Sequence, residues 1–178
     1  MAAATGVRAA QRDANPAALT EKGFSDRVNA YLDVHRRCED EVGSLPESAN
    51  PAAITRRQQA LGAAIRRARP DARQGDVFGS DVGALIRRLV GEDLARRRPV
   101  ERQAFVVSQP EVRVRINDFY PTTAPLATVP PGMLKTLPPL PKGLEYRFVG
   151  SSLILFDVDP NLIVDILPDA IPLRYRKR

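Results

Sequence analysis

The chain has 178 residues, 43% hydrophobic and 27% charged, with a formal charge of +6. That is long enough to bury a core without covalent staples, and the single cysteine and single histidine exclude a disulfide framework and a Cys/His zinc centre within one chain. No run of about 18 apolar residues is present, so the sequence predicts no transmembrane helix.

A basic balance points toward nucleic acid or an anionic surface. Its distribution weakens the nucleic-acid reading. Residues 1–100 carry 17 basic and 13 acidic groups, residues 101–178 carry 10 and 8, and four of those ten lie in the terminal RYRKR. There is no RNP-like aromatic motif, no zinc-finger spacing and no phosphate loop, since GSDVG and FVGSS lack the Gly and Lys pattern.

In chain order, residues 1–22 read as a flexible N-terminus and 23–98 as a helical region. Phe24, Val28, Tyr31, His35, Cys38 and Val42 follow a 4-3-4-3-4 spacing, the seam of a packed helix, with Ser25 as N-cap and Gly43 just past its end. Asn50-Pro51 opens a second helix with a stripe of Ile54, Leu61, Ala64, Ile65 and Ala68, stopped at Pro70. The short link LPESAN favours an antiparallel pair. A third helix follows Ser80, with Val82, Leu85, Ile86, Leu89 and Leu94 inward, and Phe78 and Phe105 cover one end of the bundle.

Residues 99–143 read as a strand and a Pro-rich strap. ERQAFVV suits a short helix. VRVRI at 112–116 alternates strictly, which predicts a half-buried strand. Residues 121–141 contain seven prolines interleaved with Leu126, Val129, Met133, Leu134, Leu137 and Leu140. That predicts an ordered, partly polyproline strap with one helical turn at 132–137, not a flexible linker.

Residues 144–173 read as a β-meander, followed by the basic tail 174–178. Gly150-Ser151 makes a two-residue turn, and Asp159-Pro160-Asn161 makes the next. The resulting register sets Leu144 opposite Asp157, Leu155 opposite Asp165 and Asp157 opposite Ile163. One face then holds Ile154, Phe156, Val158, Leu162, Val164 and Ile166 and packs on the helices. The other holds Tyr146, Phe148, Leu153, Leu155, Ile163 and both aspartates and is partly solvated. The fold class is α+β: a small antiparallel helical bundle, a Pro-rich strap and a C-terminal antiparallel meander packed on the helices.

The run YPTTAPLATVPPGMLKTLPPLPKGLEYRFVGSSLILFDVDPNLIVDILPDAIP resembles the C-terminal part of a bacterial family of exported proteins with no assigned activity, and FSDRVNAYLDVHRRCE through ARQGDVF is similar to its N-terminal half. The YRFVG–LILFDV–LIVDIL core also resembles short modules of small periplasmic proteins, some linked to nickel and cobalt homeostasis. The resemblance implies a periplasmic or secreted protein whose signal peptide is absent from this chain, and implies no catalytic residue; the N-terminus MAAATGVRAAQRD, without an apolar signal core, leaves a cytoplasmic protein as the alternative.

Asp157 and Asp165 are the foremost candidate residues. In the structural reading they pair with Arg113, Arg115 or Arg147, or accept backbone N–H groups in a turn. In the chemical reading they join Asp159 or Asp118 around a divalent cation, or work as an acid/base pair. His35 and Cys38 share one turn of the apolar seam, which fits a hydrogen-bonded core histidine and a buried thiol better than a nucleophile pair. Asp157 is a poor third member for that pair, because nothing in the sequence places it nearby. Asp118, Phe119, Tyr120, Arg113 and Arg115 form a candidate binding surface, with anchoring of the strap as the preferred role of the two aromatics. The leading functional expectation is a non-enzymatic envelope protein that binds a protein partner. A metal-binding or hydrolytic protein and a nucleic-acid binder are the alternatives. A free edge at 112–116 or 162–167 offers a route to homo-oligomers.

Overall fold

The computed structural model describes residues 15–44 and 50–176. Helices α1 (Pro16–Val42), α2 (Pro51–Ala68), α3 (Gly79–Arg96) and α4 (Pro99–Val107) precede a single helical turn, α5 (Pro131–Leu134). Strands β1 (Leu144–Val149), β2 (Ser152–Asp157) and β3 (Leu162–Leu167) follow, and a 3-10 turn at Leu173–Tyr175 closes the described chain. The fold is α+β, with no helix among the described residues long and apolar enough to cross a membrane.

The helix ends follow local chemistry. Asn50 Oδ1 accepts the Ala53 amide at 2.9 Å, and Pro51 loses no bond at the first helical position. Gly43 ends α1 at φ 81°, where a side chain would be strained. The start of α1 departs from expectation: Asn15 is the cap, so Ser25 lies mid-helix and the ordered chain reaches into the segment expected to be flexible. Most of that segment, residues 45–49 of the LPESAN link and the last two residues lie outside the described residues. Ile54 and Ala68, expected inside the α2 stripe, are exposed.

The three strands form one antiparallel sheet in the order β1-β2-β3. Both turns carry the positive φ they need, at Gly150 (54°) and Asn161 (54°). The first hairpin has the expected register, with Leu144 opposite Asp157 and Phe148 opposite Leu153. In the second, Leu155 opposes Asp165, but a bulge beside Leu155 and Phe156 puts Ile163 opposite Phe156 and Leu162 opposite Asp157.

Two corrections to the facial assignment follow: the bulge exchanges Leu162 and Val164 with Ile163 between the faces, and the face that carries the aspartates, not the Ile154/Phe156 face, packs on the helices. Tyr146, Phe148, Leu153, Leu155, Leu162, Val164 and Leu167 join the helices in the main core, and the two aspartates sit on this same inner face. Ile154, Phe156 and Ile163 face the other way with Tyr120 and Val149. Val158, expected in the dry face, is 42% exposed beyond the end of β2. Phe24, Phe78 and Tyr146 stack in a column with ring centroids 6.3 Å apart at each step, joining α1, the α2–α3 loop and β1.

The outer face is not solvated. The extended segment 110–124 lies over it, with Val112, Val114 and Ala124 packed on Ile154 and Phe156. The sheet is thus buried on both faces, which explains why β2 and β3 are nearly continuous apolar runs. VRVRI is therefore not a strand. It keeps the alternating burial of one, Val inward and Arg outward, without a ladder partner. Of the two edges, the start of β3 is already taken: the Asn117 amide bonds Ile163 O at 2.8 Å, the Ile163 amide bonds Asp118 O at 2.9 Å, and Phe119 bridges Leu162.

Candidate functional site

Asp157 closes β2 and points at α1. Its Oδ2 accepts Tyr31 Oη at 2.6 Å and His35 Nδ1 at 2.6 Å, and the residue is 1% exposed. Tyr31 and His35 are four residues apart on one helix, so one carboxylate serves successive turns of the seam. A carboxylate only accepts, so the His35 proton sits on Nδ1 and Nε2 turns toward Glu39, 3.9 Å away. The bond to Asp157 raises the His35 pKa above its ordinary value, outweighing the opposing effect of partial burial. Burial raises the Tyr31 pKa well above its usual range, and the adjacent Asp157 charge adds to the effect.

From His35 the polar chain runs outward. Arg57 Nη2 reaches Glu39 at 2.8 Å, Arg57 Nη1 reaches Asp159 at 2.7 Å, and Arg57 Nε caps Gly43 O at 3.1 Å. His35, Glu39 and Asp159 bring their ligand-type atoms within 4.8 Å of one another. Arg57 already supplies the counter-charge there, and its forked guanidinium spans both carboxylates.

Asp165 serves a different segment. Oδ1 accepts the amides of Gly75 (2.9 Å) and Ile166 (2.7 Å), and Oδ2 accepts those of Val77 and Phe78 (both 2.8 Å). The residue is fully buried. Four N–H groups saturate the carboxylate, and three of them belong to the α2–α3 loop.

The expectations for this pair change accordingly. Neither aspartate pairs with arginine: Arg113 and Arg115 are exposed, and Arg147 pairs with Glu145. The donors are a phenol, an imidazole and backbone amides, and those amides come from the loop between helices, not from a β-turn. A shared cation site of Asp157, Asp165 and Asp118 or Asp159 does not form among the described residues, because each carboxylate is directed at its own protein donors. Asp157 is the partner of His35 after all, but Cys38 does not complete a triad. It is buried, burial pushes its thiol up, and no hydrogen bond among the described residues joins it to His35.

The 118–120 turn anchors the strap. Tyr120 is 3% exposed and its hydroxyl donates to Pro125 O at 2.9 Å. Phe119 packs against Gly62 so closely that a Cβ there would stand 2.2 Å from its Cε1, and Arg66 lies over its ring at 5.7 Å. Of the rest of the expected surface, Arg113 and Arg115 are exposed and Asp118 is half-buried, 3.6 Å from Arg66.

Many arginines are spent internally. Arg27 caps Val77 O at 2.7 Å and Phe78 O at 3.1 Å, Arg87 caps Pro168 O, and Arg69 lies over the Tyr31 ring while capping Val164 O. No sequence motif announces these carbonyl contacts.

Sequence reasoning also missed a groove between the strap and β1. It has a volume of about 640 Å³, with walls from Val129, Pro131, Leu134, Pro138, Leu140 and Leu144, and Glu145 and Arg147 along one side. Thr128 bridges Arg147, so the strap touches β1 at one end of the groove. The alternation of Pro and Leu was the available signal, since Pro fixes the backbone and Leu supplies the lining. No protein-family model, no curated protein and no solved structure matches this chain.

Proposed function

We propose that this protein is a non-enzymatic interaction module of the bacterial envelope, and that it holds an extended apolar segment of a partner protein in the groove between the Pro-rich strap and β1. The observation that carries this reading is the groove itself. A concavity of about 640 Å³ falls in the size range of ligand sites, and its lining is mainly apolar. Its proline walls are already ordered, so little conformational entropy remains to be lost when a segment docks. Leu134 is 48% exposed at the rim, poised for contact.

The two carboxylates support the reading from the other side. An acid/base or cation role needs a carboxylate with room for substrate or metal. Asp165 is saturated by amides, and Asp157 commits its Oδ2 to both Tyr31 and His35. The envelope setting rests on the sequence resemblance.

The test is site-specific photo-crosslinking in the envelope of the native host. A crosslinker at Leu134 yields one discrete protein adduct, and the same group at exposed Leu19 on α1 does not. Adding Leu140→Asp to the Leu134 crosslinker protein removes the adduct while circular dichroism stays unchanged. Equal labelling from both positions, or recovery of the protein in the cytosol, overturns the reading.

A further inference from the structure

α4 is apolar on two sides. Phe105 is buried against Phe148, ring centroids 5.3 Å apart, and Val106 packs on the core. Val100, Ala104 and Val107 follow a 4-3 spacing on the opposite side, with Val100 80% and Val107 47% exposed. A nine-residue surface helix needs one apolar stripe to dock on its own core. The second stripe is unexplained by the fold.

It does not stand alone. The 3-10 turn brings Leu173, 76% exposed, to the same region, and a shallow hollow of about 800 Å³ lies between α4 and this turn. Arg102 and Arg174 lie over the Tyr175 ring at 4.9 and 4.7 Å, and neither makes an ion pair among the described residues. Tyr175 thus spaces two guanidinium groups that no carboxylate pairs among the described residues, and Arg102 also donates through Nη1 to Leu94 O at 3.3 Å. The sequence continues with Lys177-Arg178.

We propose that this face docks the protein on an anionic lipid bilayer, with Val100, Val107 and Leu173 entering the headgroup region and Arg102 and Arg174 meeting lipid phosphates. Exposed apolar tips beside uncompensated cations are what an anionic interface rewards, since area burial and charge attraction act together. The charge pattern decides among occupants. A second copy across a two-fold axis would set arginine against arginine. Nucleic acid would satisfy the arginines but leave the apolar tips without a partner. This surface is separate from the strap groove, so either assignment can fail without the other.

The test is flotation of the full chain with vesicles of 70:30 phosphatidylcholine and phosphatidylglycerol, against pure phosphatidylcholine, from 50 to 500 mM salt. Binding at least tenfold stronger to the anionic vesicles, falling with salt, is expected. Arg102→Gln and Arg174→Gln each weaken it about fivefold. The triple variant Val100→Ser, Val107→Ser, Leu173→Ser weakens it tenfold or more at the lowest salt, while Leu19→Ser does not. All these side chains are exposed or half-exposed, so circular dichroism checks that the fold persists. No binding to anionic vesicles, or equal binding by the triple variant, overturns the proposal. So does concentration-dependent dimerisation that the triple variant abolishes. Retention on duplex DNA that the triple variant leaves unchanged, without vesicle binding, reassigns the face to nucleic acid.

Discussion

Asp165→Asn tests the most connected side chain in the fold. The substitution keeps shape and volume but turns one acceptor oxygen into an NH2 donor. Whichever oxygen is lost, two backbone amides lose their acceptor: Gly75 and Ile166 on one side, or Val77 and Phe78 on the other. The carboxylate is fully buried, and on the Val77 and Phe78 side the bonds are buried too, so water does not replace them there. Each unsatisfied buried donor costs about 1–3 kcal/mol, and the two surviving bonds lose their charge assistance, so about 4 kcal/mol is expected. Native domains hold about 5–15 kcal/mol in all, which makes this a large fraction. The chain has no tryptophan, so urea unfolding is followed by far-ultraviolet circular dichroism. With a slope of about 2 kcal/mol per molar urea, the midpoint falls by about 2 M. Amide exchange at Gly75, Val77 and Phe78 accelerates in the variant ahead of that in α1. A loss below about 1 kcal/mol would refute the reasoning, because the loop amides would then find other acceptors at little cost.

Three further outcomes follow from the same geometry. His35 has a folded-state pKa raised above its ordinary value by Asp157, so its bonded, charged form stabilises the fold fully below about pH 6.5 and loses that contribution as pH rises through the folded pKa; the unfolding free-energy difference between wild type and His35→Asn therefore shrinks from pH 5.5 to 8.5, and a flat difference contradicts it. Tyr31→Phe removes one of the two side-chain donors on buried Asp157 and lowers stability by about 1–2 kcal/mol in urea unfolding, without changing crosslinking at Leu134. Gly62→Ala drives a methyl into Phe119 and costs about 1–3 kcal/mol, and the double variant with Phe119→Ala costs less than the sum of the singles, a coupling that a double-mutant cycle measures directly.

What the sequence revealed, and what it hid, divides along a physical line. The first hairpin was legible because a two-residue loop leaves one register, and the α1 seam because a helix repeats its face. The second hairpin was not, because a bulge changes side-chain parity without leaving a mark in composition. VRVRI shows why alternation is a weaker signal than it looks. It reports burial on one side of an extended chain, and a cover segment lying on a sheet satisfies that as well as a strand does. The partners of both aspartates were hidden by distance. Gly75, Val77 and Phe78 lie 87 to 90 residues from Asp165, and His35 lies 122 from Asp157.

The two aspartates are better understood as joints than as a site. Apolar packing holds the helical layer to the sheet but is tolerant of sliding, because one aliphatic contact substitutes for another. A buried carboxylate tolerates no such substitution, since a shift by one residue strands its donors. Asp157 fixes α1 against the end of β2, and Asp165 fixes the α2–α3 loop against β3. Arg27 clamps the same loop from α1 by its carbonyls. Three segments distant in sequence are thereby set in one arrangement, at a cost in desolvation that only complete pairing offsets. Two carboxylates in an apolar sheet, usually a sign of chemistry, are here a consequence of how the layers are joined. Under the two proposals above, binding falls instead to the strap groove and to the basic apolar face of α4.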